Sequence, residues 1–288
     1  MDRSPPPWSF TAALATLALA GGCVANAAPD SPPAGGEQIV EGPSGAIYVN
    51  DGGGKEGIPV VLLHSFGGDS SHWSSQLDHL RHERRAMAID LRGHGKSAAP
   101  RDGDYSVEGF AKDLDVVVGK LGLKRFVLVG HSLGGAVAIK YAGAHPDRVA
   151  GLVLVGAPGK MPAEQSKQIL GQIEANYDTT MKQYWEKLVT GAQPHVRTQV
   201  LAQMDRVPKA DSLAIMRSLF ADDPLASLDR YKGPTLVVYT SQGNTPNDLQ
   251  NARPNLQKRE IAGTSHWPHL DKPKEFDQVL DEFLGKVK

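Results

Sequence analysis

Short, unbroken apolar runs separated by helical stretches constrain this chain more than any other feature. Pro59-Val60-Val61-Leu62-Leu63, Ala86-Met87-Ala88-Ile89, Phe126-Val127-Leu128-Val129, Leu152-Val153-Leu154-Val155 and Thr235-Leu236-Val237-Val238-Tyr239 are such runs. A strand with one wet face alternates apolar and polar residues. A strand apolar at every position must be covered on both faces. Helical patterns lie between the runs: Ser71 to Arg81, Val107 to Leu121, and a small-residue stretch from Gly135 to about Ala144. In the second of these Phe110, Leu114, Val117, Val118 and Leu121 fall at helical spacing. The alternation predicts an α/β fold, with a doubly wound, mostly parallel sheet and helices on both sides. Gln38 to Val49 reads as strand material before the turn at Asp51-Gly52-Gly53-Gly54, Lys258 to Ala262 as a last strand, and Lys272 to Val287 as a final amphipathic helix.

The rhythm breaks after Pro158. Residues from about Met161 to Leu228 are mostly helical with no obvious buried strand, which predicts a helical cap inserted into the α/β core. The domain reading is therefore a core over 38–159, a cap over 160–229 and the rest of the core over 230–288. Ahead of the core, Pro29 to Gly36 is a Pro/Gly/Ser-rich linker, within a linker segment of 28–37. Residues 1–27 carry the pattern of a signal peptide: Arg3 in a polar start, an apolar run from Phe10 to Ala20, and the small-x-small site Ala25-Asn26-Ala27. Cleavage after Ala27 and a secreted or periplasmic product are expected. The competing reading is a bacterial lipoprotein anchored at Cys23, since Leu19-Ala20-Gly21-Gly22-Cys23 is similar to a lipidation box with Ala20 in place of a larger aliphatic residue. Cys23 is the only cysteine, so no intramolecular disulfide is possible.

A formal net charge of −1 over 288 residues gives no argument for nucleic acid or an acidic membrane surface, and no stretch is apolar for long enough to be an internal membrane span. The ten histidines are scattered; His266 and His269 are separated by Pro268, and no acidic or cysteine cluster completes a site. Neither a metal nor a cofactor is expected.

Gly130-His131-Ser132-Leu133-Gly134 follows one of the buried-strand runs and precedes a helix. Strand, sharp turn and helix is the context in which G-x-S-x-G lifts a serine hydroxyl to the edge of a sheet, at the positive end of a helix. The alternative is a glycine-rich turn whose serine only caps the helix. A serine hydroxyl is a weak nucleophile at neutral pH and needs a base in reach, itself oriented by a third group. His266, in Gly263-Thr264-Ser265-His266-Trp267 after the last expected strand, is the candidate base; the plain alternative is a surface-loop histidine.

Taken with His64-Ser65-Phe66-Gly67-Gly68 and Asp90-Leu91-Arg92-Gly93-His94-Gly95-Lys96-Ser97, these motifs make the chain, from about residue 38 to its end, resemble the α/β-hydrolase superfamily, in the capped branch that holds small esterases and cofactor-free perhydrolases. The resemblance implies Ser132 as nucleophile, His266 as general base, and an oxyanion hole made by the backbone N–H groups of Leu133 and Phe66. It implies structural roles for His64 and for the turn tied down by Asp90, Arg92 and His94. The family's acid usually follows the seventh strand, where Gln242, Gly243 and Asn244 stand, and none of these is acidic. Asp248 keeps the order Ser, Asp, His and is the expected acid, although it also reads as a helix-start residue. Asp222, Asp223, Asn244 and Glu164 stay open as alternatives.

Serine at the elbow fits an acyl-enzyme and a carboxylic ester substrate; aspartate there would have pointed to dehalogenase or epoxide hydrolase chemistry. Trp73, Tyr184, Trp185, Phe220 and Trp267 are expected to line a pocket for a small, moderately hydrophobic ester, with Tyr177, Leu188, Met216 and Leu219 as further apolar contributors. The alternatives are perhydrolase or haloperoxidase chemistry with the same residues, a catalytically silent binding protein, and a lyase using the triad as a base.

Overall fold

The computed structural model describes residue 1 and residues 36–54, 56–241 and 245–288. The expected signal peptide, its cleavage site, Cys23 and Asn244 lie outside the described residues. The strands are β1 (Glu37–Glu41), β2 (Ala46–Gly53), β3 (Glu56–Leu63), β4 (Arg84–Ile89), β5 (Phe126–His131), β6 (Val149–Val155), β7 (Thr235–Tyr239) and β8 (Gln257–Glu260). Helices α1 (Ser74–Leu80), α2 (Val107–Lys120) and α3 (Leu133–Ala144) alternate with them, and α9 (Leu249–Ala252), α10 (Pro268–Asp271) and α11 (Pro273–Leu284) close the chain. Five helices fall between β6 and β7: α4 (Ala163–Ala175), α5 (Tyr177–Leu188), α6 (Pro194–Leu201), α7 (Lys209–Ala221) and α8 (Pro224–Leu228).

The sheet runs in the order β1-β2-β4-β3-β5-β6-β7-β8. Pairings from β4 to β8 are parallel; β1–β2 and β2–β4 are antiparallel. The apolar runs divide by the pleat. Val61, Leu63, Leu128 and Leu154 join a core layer with α2 and α3, while Val60, Leu62, Val127 and Val129 join a second layer with α1 and α11. Each fully buried Val or Leu contributes about 1.5–3 kcal/mol, which is why the runs Val60 to Leu63 and Phe126 to Val129 are apolar throughout. β3 and β5 are neighbours, and the chain leaves β3 toward β4 on one side but β5 toward β6 on the other, so the direction of travel reverses between them. Such a switch point opens a crevice beyond the carboxyl ends of the strands, and the segments after β3 and β5 both enter it.

The expected last strand over Lys258 to Ala262 is β8, shifted to Gln257–Glu260; all four of its residues are exposed at the sheet edge, so no periodicity marks its ends. The final helix is shorter than Lys272 to Val287, ending at Leu284 and preceded by the separate turn α10.

Candidate active site

Ser132 sits where β5 gives way to α3. Its φ is 51° and its ψ −111°, and it is the one non-glycine residue with positive φ among the described residues. Backbone of this kind costs about 1–3 kcal/mol and persists only when its surroundings over-determine it. Two bonds fix the turn: Ser132 N–H donates to the Val155 carbonyl at 2.9 Å and Gly134 N–H to the His64 carbonyl at 3.1 Å. The flanking glycines answer to space. A Cβ on Gly130 would lie 2.3 Å from the Gly134 carbonyl oxygen, and one on Gly134 would lie 2.5 Å from that of Leu63. Although Ser132 occupies the N-cap position of α3, its side chain makes no capping hydrogen bond. The helix-cap alternative therefore fails, and the hydroxyl is left for other use.

The segment after β3 is built around buried polar groups. His64 Nδ1–H donates to the Ser65 carbonyl at 2.7 Å, and its Nε2 accepts the Leu91 N–H at 2.9 Å. Asp90 accepts from the amides of Ser70 at 2.6 Å and Lys96 at 2.8 Å. Arg92 pairs with Asp113 at 2.5 Å and donates to the Asp104 and Gly109 carbonyls. His94 stacks obliquely on His64, with ring centroids 5.2 Å apart. Burial holds His64 down to about 4 and His94 to about 3, so both stay neutral and rigid at neutral pH. Gly134 N–H bonds the His64 carbonyl, so this scaffold runs beside the elbow. Phe66, two residues after His64, is buried in the same core layer as Leu133, the first residue of α3.

His266 lies on the loop between β8 and α10. Its amide donates to the Leu188 carbonyl at the end of α5 at 3.1 Å, and its own carbonyl accepts from His131 Nε2 at 2.8 Å. The His131 and His266 rings are 4.9 Å apart. A Cβ on Gly156, the residue after β6, would come within 2.9 Å of His266 Cε1. Ser132 N–H bonds the residue just before Gly156, so nucleophile and imidazole share one neighbourhood. His266 Nε2 is buried without a hydrogen-bond partner, and burial lowers the ring's pKa to about 4. The imidazole is therefore a neutral base throughout the physiological range. The loop is held on its other side by Asp271, which accepts from Ser265 N at 2.7 Å, Ser265 Oγ at 2.6 Å and Gln193 N at 2.7 Å.

Asp248 is placed at the N-cap of α9, where its carboxylate accepts the Thr245 N–H at 2.5 Å. No hydrogen bond joins it to the His266 ring, and no nearby charge contributes to the shift of that ring. The structure thus places Ser132 and His266 in one neighbourhood around Val155 and Gly156, with no hydrogen bond between their side chains, and leaves Asp248 outside hydrogen-bond contact with the ring. The alternatives are engaged elsewhere: Asp222 with Lys140 at 2.5 Å, and Asp223 with Lys160 at 2.6 Å. Glu164 lines an open groove of about 820 Å³ along α4 and α5, which contains none of the site residues.

Of the expected pocket residues, Trp185 and Trp267 come together. The indole of Trp185, from α5, stacks on Phe66 at 5.8 Å and on Trp267 at 5.9 Å, so one side chain of the helical insertion bridges the segment after β3 and the His266 loop. Tyr184 meets Trp185 edge-on at 6.2 Å and is 36% exposed. Phe220 is partly buried against the first core layer. Trp73 packs in the second layer, stacked on His269 at 4.1 Å and tilted against Phe276. Sequence reasoning passed over His131, which sits inside the motif it had singled out, and Leu188 as a backbone partner, for which no sequence signal exists.

A family model described as alpha/beta hydrolase fold matches residues 58–193. An uncharacterised protein of Mycobacterium tuberculosis is 39% identical over 258 residues, covering 79% of this chain and 75% of the relative. The dihydrolipoyllysine-residue acetyltransferase component of the acetoin cleaving system of Pseudomonas putida is 37% identical over 252 residues, covering 81% of this chain. The chain spans 65% and 66% of the lengths of the first two such acetyltransferase components that it matches. Among solved structures, an N-acyl homoserine lactone degrading enzyme superposes with a TM-score of 0.72 at 27% identity, over 85% of this chain and 100% of its own.

Proposed function

The chain belongs to the alpha/beta hydrolase fold family, and from that premise we propose that it is a serine hydrolase cleaving small, moderately hydrophobic carboxylic esters through an acyl-enzyme on Ser132. What supports the reading is a strained, uncapped serine whose N–H bonds the residue before Gly156, together with a neutral imidazole packed beside Gly156 whose Nε2 is buried and unpartnered. In this reading Ser132 Oγ attacks the ester carbonyl as its proton passes to His266 Nε2. The oxyanion is received by the N–H groups of Leu133 and Phe66, each such donor being worth about 10²–10³ in rate. His266 then protonates the leaving alcohol, and a water activated by the same nitrogen releases the acid and regenerates the serine. The aromatic roof of Phe66, Trp185 and Trp267 supports a small apolar substrate over an extended polar one.

The test is a panel of p-nitrophenyl esters of increasing chain length, with lactones alongside and hydrogen peroxide and halide added in parallel. Ester turnover that peaks at short chains and vanishes in Ser132→Ala supports the reading. Peracid formation or halogenation outpacing hydrolysis would move it to the perhydrolase alternative. A second reading, a silent binding protein, draws on the absence, among the described residues, of a carboxylate hydrogen-bonded to the His266 ring; it requires the whole panel to fail on folded protein. Export through residues 1–27 is also proposed, with a mature N-terminus at Ala28 rather than a lipidated Cys23 as the mass-spectrometric result.

A further inference from the structure

We infer that His131 is a positioning residue for the catalytic base, holding His266 by its main chain where the expected carboxylate does not hold it by its ring. The inference rests on the serine-hydrolase reading above. Strand alternation sends Val127 and Val129 into the second core layer, and His131, two residues on at the end of β5, follows them to the face where the His266 loop returns. It is fully buried. Its Nε2 lies 2.8 Å from the His266 carbonyl. A carbonyl only accepts, so the proton is on Nε2 and Nδ1 is a bare acceptor. That Nδ1 is buried with no partner. A fully buried ring with one nitrogen unsatisfied is a costly choice where a leucine or methionine would fill the space. The single bond that distinguishes histidine here runs to the backbone of the base.

The surroundings keep this donor fixed. His131 faces the rings of His266 at 4.9 Å, His269 at 4.8 Å and Trp267 at 5.7 Å. The titratable neighbours are therefore His266 and His269, with His72 farther off, and burial and mutual repulsion keep His131 and His269 neutral. No carboxylate among the described residues is hydrogen-bonded to any of these three rings. Because His131 immediately precedes Ser132, its hydrogen bond makes one rigid unit of nucleophile and base. A base displaced by about an ångström costs on the order of 10²-fold in rate.

The experiment compares wild type, His131→Met and His131→Gln. Methionine fills the site without a donor; glutamine restores an N–H of similar reach. On p-nitrophenyl acetate, H131M is expected to lose about 10–100-fold in kcat with KM within twofold, and to label more slowly with a fluorophosphonate, while H131Q recovers most of the loss. Full kcat in H131M, or equal losses in both variants, would overturn the inference. Should the variants not fold, long-range ¹H–¹⁵N spectra of the wild type decide: an Nε2–H tautomer with a slowly exchanging proton supports it, and an Nδ1–H tautomer overturns it. Wild-type enzyme that neither turns over nor labels at Ser132 defeats the hydrolase reading instead, and the two failures are told apart in the same assay.

Discussion

The nucleophile elbow and the base loop do related work by opposite means. The elbow is local: five consecutive residues, two glycines forced by backbone contacts of 2.3–2.5 Å, and one strained serine. The base loop is assembled from afar. His266 is held by His131, 135 residues earlier, and by the Leu188 carbonyl of the helical insertion, and its neighbour Ser265 is held by Asp271, which also reaches Gln193. A local device is set by sterics and survives a change elsewhere in the molecule. A distributed one depends on the core and the insertion together, so substitutions at several distant places should reach the base.

The largest effect that divides the two regions is at the serine itself. Ser132→Ala should lower kcat by at least about 10⁴-fold while the protein stays folded, because removing a nucleophile leaves only binding and oxyanion contributions. Melting curves with steady-state kinetics check both halves. Gly134→Ala should damage the elbow through its backbone. The added Cβ has no room beside the Leu63 and His64 carbonyls, and overpacking of this kind costs about 1–3 kcal/mol, or about 2–4 °C in Tm per kcal/mol. Activity should fall further than stability, since the oxyanion donors move with the turn.

Asp271→Ala tests the distributed side. It strips the acceptor from Ser265 N, Ser265 Oγ and Gln193 N, and leaves buried donors unsatisfied at about 1–3 kcal/mol each. A fall in both Tm and kcat with unchanged labelling chemistry is expected; wild-type kcat would show that the base does not depend on the loop's anchoring. The pH response separates the regions again. Buried His64, His72, His94, His131 and His269 have pKa values below the ordinary 6.5. The unfolded chain therefore binds more protons than the folded one as pH drops below about 6.5, and stability falls. By pH 5 each such group costs about 2 kcal/mol at most. Tm should decline between pH 7 and pH 5, whereas kcat/KM of the still-folded enzyme should hold until His266 protonates near 4. An acid limb at 6.5 would mean a base more exposed than this one. The smallest effect expected is at Asp248→Asn, within twofold in kcat, because the Asp248 carboxylate is spent on Thr245 N–H. A large loss there would restore it as the triad acid.

What could be read in the sequence follows the same division. The sheet was legible because strands buried on both faces must be apolar throughout, and Val60 to Leu63 and Phe126 to Val129 are. The elbow was legible because its chemistry and its backbone requirement share five residues. Even there α3 starts two residues before the expected Gly135: Leu133 and Gly134 are the first helical positions, and Gly134 is kept small by the Leu63 and His64 carbonyls. The acid has no local cue. Chain order selects Asp248, yet a carboxylate's partner depends on side chains around it in space, and its own turn claims it. The link between His131 and His266 joins two motifs that sequence reasoning treated separately.

The central claim is that Ser132 becomes acylated during turnover, and intact-protein mass spectrometry of a rapidly quenched reaction with p-nitrophenyl acetate tests it most directly. The account predicts a transient acetyl adduct, mapped to Ser132 by peptide analysis and absent from Ser132→Ala. Steady release of p-nitrophenol with no adduct at any quench time, or with the adduct on another residue, would contradict it.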